Sequence, residues 1–507
     1  MALINVVDLT FAYEGSYDNI FESVSFQIDT DWKLGFIGRN GRGKTTFLKL
    51  LLGKYEYSGT IAAAGLEFEY FPYEVKDMRE LTLDVIKRIC PQAEDWEIMR
   101  ELSMLQMEAE ALYRPFDTLS EGQRTKALLC GLFLKENTFL LIDEPTNHLD
   151  MEGRDILAQY LRKKRSFILV SHDRMFLDNC IDHVLSINRS DIEIQKGNFS
   201  SWWENRRLQD EHELAEHAKL KKDIRRLEGA ARRAAGWSEQ VEKSKKGTRI
   251  AGLRPDRGFI GHKSAKMMKK AKTLEKRRQG QLEDKSKLLK NLEEKEELKI
   301  HPLKFQTEKL VELEGISIFY GDTQAVKEMN LTICQGERLA LRGKNGCGKS
   351  SVLRLICGER ISEKAKDGHQ VEGGNYTGAM RKNPALKISY VSQDTSGLRG
   401  NLKDYAVNSG IDETLFKAIL RKLDFSREQF DKDMEYFSAG QKKKVMIAAS
   451  LCQPAHLYIW DEPLNYIDVI SRMQIEELLT EYKPTLLFVE HDRAFCERVA
   501  TGTVWMQ

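Results

Sequence analysis

Apolar residues in this chain fall into short blocks that repeat. Phe139-Leu140-Leu141-Ile142 and Phe167-Ile168-Leu169-Val170 are runs of four, the pattern of strands buried on both faces of a parallel sheet. Ile4-Asn5-Val6-Val7 and Val24-Ser25-Phe26-Gln27-Ile28 alternate more, as half-buried strands do. Leu34-Gly35-Phe36-Ile37 leads through a Gly-rich turn into the helical run Phe47-Leu48-Lys49-Leu50-Leu51, and Thr125 to Leu134 reads as a further helix. Strand and helix return in that order at Leu339-Ala340-Leu341-Arg342 and Val352-Leu353-Arg354-Leu355-Ile356. Strands alternating with helices predict an α/β fold, here built twice.

Between the two series the pattern changes. Ser201 to Ala235 holds no proline and many Ala, Leu, Glu, Lys and Arg, which predicts one long helix. Gly236, Gly247, Gly252, Pro255, Gly258 and Gly261 predict a break, and a second helix is expected from about Lys263 to Leu298. The predicted organisation is a first α/β domain over 1–200, a helical hairpin over 201–306 with its tip near 236–262, and a second α/β domain over 307–507.

The Gly-rich turns carry the chemistry. Gly38-Arg39-Asn40-Gly41-Arg42-Gly43-Lys44-Thr45 and Gly343-Lys344-Asn345-Gly346-Cys347-Gly348-Lys349-Ser350 both fit Gly, four residues, Gly-Lys-Ser/Thr. Gly38, Gly41, Gly43, Gly343, Gly346 and Gly348, with Asn40 and Asn345, let the backbone curl so that N–H groups face a polyphosphate at a helix N-terminus. Lys44 and Lys349 reach terminal phosphates; the Thr45 and Ser350 hydroxyls suit Mg²⁺, with Thr46 and Ser351 beside them. The expected ligand is ATP with Mg²⁺. Tyr13, and Tyr320 in the second half, stand where an aromatic ring could stack on adenine or simply pack a turn.

Downstream, Ser120-Glu121-Gly122-Gln123 and Ser438-Ala439-Gly440-Gln441 precede helices, and the buried strands end in Asp143-Glu144 and Asp461-Glu462. Carboxylates at the C-terminal edge of a parallel sheet lie where ligands bind. Asp143 and Asp461 suit Mg²⁺, and Glu144 and Glu462 suit activation of water. His172 and His491 end the next strand at the same edge. Ser120 and Ser438 are 318 residues apart, as are Asp143 and Asp461, whereas Lys44 and Lys349 are 305 apart. The second copy is therefore longer between its phosphate loop and Ser438, and Ser362 to Asn383 is the expected surface insertion. This is duplication of a whole domain.

Charge changes the picture only in the middle. The formal net charge is +2, yet residues 221–280 hold 20 Lys and Arg against 6 Asp and Glu, which suits a polyanion such as RNA. Trp237 and Phe259 are the aromatic candidates at the tip for packing or for stacking on a base. The eight cysteines are scattered without metal or redox spacing, and neither a membrane span nor a signal sequence is visible, so a cytoplasmic protein is expected.

The order of phosphate loop, Leu-Ser-x-Gly-Gln, Asp-Glu and His-Asp resembles the ATP-binding-cassette ATPases in tandem. The resemblance implies two cassettes closing head to tail within one chain, expected to be a monomer. One site would join Lys44, Thr45, Asp143, Glu144 and His172 with Ser438 and Gly440. The other would join Lys349, Ser350, Asp461, Glu462 and His491 with Ser120 and Gly122. Asp150 and Asp468 fall on the loop linking the sites, and Gln123 and Gln441 complete the signature stretches. The family also has a glutamine that helps order Mg²⁺ and water. Gln393 supplies it in the second half, where the first has Tyr73. With no membrane span and a basic hairpin between the cassettes, the chain is similar to the ABC-F proteins. Trp32 to Lys44 and Leu457 to Tyr466 are similar to the Lsa-type resistance subgroup. That resemblance implies a ribosomal E-site ATPase whose linker acts on P-site tRNA and rRNA of the peptidyl-transferase region, protecting against lincosamides, pleuromutilins and streptogramin A. A housekeeping ABC-F translation factor, the ATPase subunit of a membrane exporter and a DNA-associated cassette ATPase share parts of the pattern.

Overall fold

The computed structural model describes residues 3–14, 19–63, 65–147, 149–187, 192–244, 302–321, 323–344, 346–358, 363–364, 370–371 and 375–506, with eleven helical positions between 262 and 279. The chain divides into two compact units. One holds both α/β halves, and the other is formed mainly by Ser201–Glu294.

In the first half, six strands form one sheet in the order Glu67–Phe71, Thr138–Asp143, Phe167–Val170, Lys33–Gly38, His183–Ile187, Ile192–Lys196, parallel except for the last. Its centre is formed by the four-residue apolar runs, and Phe139, Leu141, Phe167, Ile168 and Leu169 are fully buried. A three-stranded antiparallel sheet, Phe21–Asp29, Leu3–Phe11, Ser58–Ala62, lies in the same half. Leu9, Phe11 and Phe21 from it share a core with Phe36, Phe47 and Leu141. The helices Thr82–Ile89, Asp95–Met104 and Glu121–Phe133 pack beside the sheet.

The second half repeats the plan with five parallel strands: Ile388–Val391, Leu457–Asp461, Leu486–Val489, Arg338–Arg342, Gly502–Trp505. One expectation is corrected here. Ser362 to Asn383 is not wholly an insertion, because Asn375–Lys382 pairs antiparallel with Lys309–Tyr320 in register Val311↔Lys382. It therefore occupies the place of Ser58–Ala62. Its sequence, Asn-Tyr-Thr-Gly-Ala-Met-Arg-Lys, hides this because an exposed edge strand needs no buried alternation.

A second correction concerns the linker. The helix Phe199–Ser244 is continuous for 46 residues and passes through Gly236, where a break was expected. At the standard rise this is about 70 Å of helix. A single glycine costs only about 1 kcal/mol in a helix, and the residues after it, Ser238-Glu239-Gln240-Val241-Glu242-Lys243, tolerate helix well. Trp237 thus stands within a helix rather than in a loop, and Phe259 lies outside the described residues. Among the described residues, no helix is long and apolar enough to cross a membrane.

Candidate functional site

Each phosphate loop is held by glycines that no other residue could replace. Gly43 has φ 91° and Gly348 has φ 87°. A Cβ on Gly43 would stand 2.5 Å from Ile20 Cγ2, and one on Gly348 would stand 2.4 Å from Val326 Cγ2. Left-handed backbone and a missing Cβ are both required there. Lys44 Nζ donates to the carbonyls of Gly38 (2.6 Å) and Arg39 (3.1 Å). Lys349 Nζ donates to those of Gly343 and Lys344, both at 2.9 Å. Both ammonium groups therefore sit across their own loops. Burial lowers the Lys44 pKa, with Asp468, Glu144 and Asp143 acting against it. Asn345 lies outside the described residues.

The strand Thr138–Asp143 delivers its carboxylates beside this loop. Thr45 Oγ1 donates to Asp143 Oδ2 at 2.8 Å, and the Tyr70 hydroxyl donates to the same oxygen at 3.1 Å. In the second half, Asp461 is completely buried and neither carboxylate oxygen accepts a hydrogen bond. Burial pushes its pKa up, with Ser350 acting against it. A buried carboxylate without donors, next to a loop hydroxyl, fits a divalent cation. Among the described residues, no three His, Cys, Asp or Glu gather to bind a metal by themselves. Phosphates and water would have to complete the shell, as Mg²⁺ commonly requires.

Glu144 and Glu462 are strained in the same way. Their φ angles are 52° and 45°, a left-handed conformation that costs a non-glycine residue about 1–2 kcal/mol. Each is pinned by its own amide, Glu144 N to Val170 O (2.9 Å) and Glu462 N to Val489 O (3.0 Å). Such strain recurring at both strand ends marks a functional position. His172 Nε2 lies 3.3 Å from Glu144 Oε1, and His491 Nε2 lies 3.6 Å from Glu462 Oε1. His172 is held neutral by burial and by the nearby charges of Lys44 and Arg472.

Around these glutamates the halves differ. Glu462 Oε2 accepts from Gln393 Nε2 (2.8 Å) and Asn465 Nδ2 (2.7 Å). Burial disfavours its charge, but His491, Asn465 and Lys349 outweigh it, and its pKa falls below the ordinary value. Glu144 Oε1 accepts no hydrogen bond, and burial together with Asp143 raises its pKa. Tyr73, at the place of Gln393, offers no amide.

The remaining sequence-derived candidates are placed as follows. The Tyr13 hydroxyl hydrogen-bonds Thr46 Oγ1 (2.8 Å), and that of Tyr320 hydrogen-bonds Ser351 Oγ (2.7 Å), so both rings are fixed beside their loops. The Tyr13 ring meets Phe11 and Tyr55 edge-on yet keeps 41 % exposure. Ser120 and Ser438 cap the helices Glu121–Phe133 and Ala439–Cys452, and Gln123 and Gln441 close each capping box. The two glutamine side chains are therefore committed to their own helix ends.

The halves meet at the first site. Asn40 Nδ2 donates to Tyr466 O at 2.6 Å, and Asn40 N to Asp468 Oδ2 at 3.4 Å. A Cβ on Gly440 would stand 2.4 Å from Tyr466 O and 2.9 Å from Asn40 Nδ2. The first phosphate loop thus lies against the second half's Ser-Ala-Gly-Gln stretch, and only glycine fits there. The residues that mirror Asn40 and Tyr466, Asn345 and His148, lie outside the described residues.

Sequence reasoning missed the buried ion pairs that fix these loops. Arg154 Nη1 bonds Asp173 (2.8 Å) and Arg472 Nη1 bonds Asp492 (3.0 Å). Each arginine Nε also holds a carbonyl, of Leu149 or Ile467, next to the linking loop. The arginines recur 318 residues apart, as the Asp-Glu pairs do, and the aspartates 319 apart, as the histidines do, which was the available signal.

The sequence profile of the ABC transporter family matches residues 21–147 and 326–465. The chain belongs to the ABC transporter family. Within it, the chain is an ATPase similar to the ribosome protection protein VmlR of Bacillus subtilis (strain 168) at 27% identity, over 98% of this chain and 86% of VmlR. It is also similar to the erythromycin resistance ATP-binding protein MsrA of Staphylococcus epidermidis at 27% identity, over 95% of this chain and 93% of MsrA. Among solved structures, the fold is shared with the archaeal ribosome recycling factor aABCE1, crystallised with the ribosomal stalk protein aP1. The TM-score is 0.61 at 17% identity, covering 98% of this chain and 87% of that one.

Proposed function

We propose that this chain is an ABC-F ATPase that works on the ribosome, in the exit site, and uses Ser201 to Gln306 to act on P-site tRNA and peptidyl-transferase rRNA, protecting translation from lincosamides, pleuromutilins and streptogramin A. The observation that carries this reading is the continuous 46-residue helix entering the most basic segment of a chain whose two flanks are paired cassettes. An excess of Lys and Arg on a long helical element suits RNA phosphates. The similarity to VmlR and MsrA supports the same reading.

In each cassette, Lys44 or Lys349 and the loop amides hold the ATP phosphates. Thr45 with Asp143, and Ser350 with Asp461 and Gln393, would hold Mg²⁺, which supplies charge neutralisation on the phosphates when bound. Tyr13 and Tyr320 offer ring faces to the adenine, and Ser438-Ala439-Gly440 or Ser120-Glu121-Gly122 closes over the phosphates from the opposite cassette. Glu144 and Glu462 take the proton of the attacking water; neutral His172, and His491, contact the γ-phosphate. ATP binding closes the cassettes and fixes the linker in place. Hydrolysis releases the protein.

Glu462, oriented by Gln393 and Asn465, is the better base. Glu462→Gln is therefore expected to lower total ATPase more than Glu144→Gln does, measured as phosphate release by each single variant. Equal losses would remove the asymmetry.

The function is tested by drug susceptibility of a sensitive host carrying this chain or a variant shortened between residues 245 and 261. The shortened protein is expected to co-sediment with ribosomes and bind ATP but give no protection. Full protection by the shortened form would sink the linker mechanism. Co-sedimentation without protection by the intact chain would mark a housekeeping translation factor instead.

A further inference from the structure

The two composite sites are related by an internal repeat, but the contacts that shut them are not. At the first site, Arg39 Nη1 reaches Ser471 Oγ and Gln474 Oε1, both at 3.5 Å, and Arg39 Nε lies 3.8 Å from Asp424 Oδ2. Arg42 Nη2 lies 3.4 Å from the same carboxylate. Farther along this seam, Arg174 at the start of the helix Arg174–Cys180 pairs with Glu476, which is completely buried and also faces Arg498 at 3.3 Å. Three arginines of the first cassette thus face two carboxylates of the second.

At the mirror positions most of these partners are replaced, although Lys344 stands where Arg39 does and Arg154 Nη1 donates to His491 O at 3.3 Å. The repeat spacings equate Asp424 with Gln106, Glu476 with Ala158, Ser471 with Gly153, Gln474 with Ile156, and Arg42 with Cys347. The first of these is fixed by backbone as well as by spacing, since Gln106 and Asp424 share the left-handed conformation at φ 50° and 66°. Arg493 stands where Arg174 does, but it turns to Glu497 on its own helix, with both side chains more than half exposed. Beside it the halves leave an open cleft lined by Arg154, Asp155, Ala158, Asp173, His491 and Arg493, with no carboxylate at the place of Glu476. One side of the seam is filled by a buried ion pair; the other is crossed by the Arg154–His491 hydrogen bond, and its Arg493 stays half exposed beside the cleft.

We propose that Arg39, Arg42 and Arg174, with Asp424 and Glu476, form a one-sided clasp that keeps the Lys44 site shut, so that nucleotide leaves that site slowly while the Lys349 site opens and turns over. Through their side chains these are positioning residues, which pair across the seam and not with the glutamates Glu144 and Glu462. The proposal rests on the reading that ATP sits between Lys44 and Gly440 and between Lys349 and Gly122. Desolvated charge pairs between two bodies act mainly on how fast the bodies separate. The clasp therefore controls release more than capture.

The test uses the full chain and labelled ATPγS, chased with excess unlabelled ATP in the absence of ribosomes. Wild type is expected to release the analogue in two phases, with Lys44→Ala removing only the slow one. Asp424→Asn combined with Glu476→Gln, which keeps size and shape, is expected to speed the slow phase by roughly tenfold or more. Ala158→Glu adds to the cleft the carboxylate that Glu476 supplies on the other side and is expected to slow the fast phase. Should Ala158→Glu fail to fold by thermal melting, the conservative pair decides alone. Two phases that persist unchanged in that pair, or a single phase in wild type, would overturn the clasp. No binding at all would overturn the ATP-site reading itself. Because ribosomes are absent, the outcome is separate from the proposed role in translation.

Discussion

Replacing both Glu144 and Glu462 by glutamine will leave ATP binding intact and lower ATP turnover by about 10²–10⁴-fold. The amide keeps the shape and can still face His172 and His491, which lie 3.3 and 3.6 Å from the native carboxylates. It cannot accept the proton of the attacking water. The strained backbone at both positions is set by main-chain bonds to Val170 and Val489, so the substitution should not move the strand ends. The double variant is expected to remain closed and to stay with ribosomes in sedimentation with ATP. Steady-state phosphate release and ATP binding are the paired measurements. Normal turnover would remove both glutamates from the role of base.

The second large effect concerns stability. Lys444 Nζ lies 2.8 Å from Asp468 Oδ2, and the two side chains are 5% and 0% exposed. Breaking a buried pair by removing one partner commonly costs about 3–5 kcal/mol. Lys444→Met is therefore expected to destabilise the chain by about 3 kcal/mol, the lower end, because Ser471 still donates to Asp468 through both its amide and its hydroxyl at 2.9 Å. Burial works against the charge of Asp468, but Lys444 and Arg39 outweigh it and hold the carboxyl far below its ordinary value. A depressed carboxyl contributes fully above its unfolded pKa of about 4, and that contribution fades as the pH falls below it. Without Lys444 that contribution is smaller, so the gap between wild type and variant narrows as the pH falls through about 4. Urea unfolding at pH 7 and about pH 3 checks both statements: a loss under about 1 kcal/mol at pH 7, or a gap that widens at the lower pH, would contradict them.

The phosphate loops, Asp143-Glu144, Asp461-Glu462 and both strand-end histidines were legible because their chemistry is local. Four apolar residues force a buried strand, and whatever follows must emerge at its C-terminal edge. The edge strand Asn375–Lys382 was not legible, since one exposed face removes the alternation that marks a strand. Gly236 misled in the other direction: one glycine was read as a break, yet its local cost is small beside a helix that runs on to Ser244.

By itself, the sequence determined that the chain holds two copies of one α/β domain, where the Gly-rich loop of each lies, and that a basic helical segment lies between them. Such features depend on spacing and residue type within a few turns of chain. Only the tertiary structure decided that Asn40 meets Tyr466 and Gly440, that Gln393 turns to Glu462 while Glu144 lacks such an amide, and that Arg174 finds Glu476 where Arg493 faces a cleft. These contacts join residues some 70 to more than 400 positions apart. Their partners are selected by packing and burial, which no local pattern encodes.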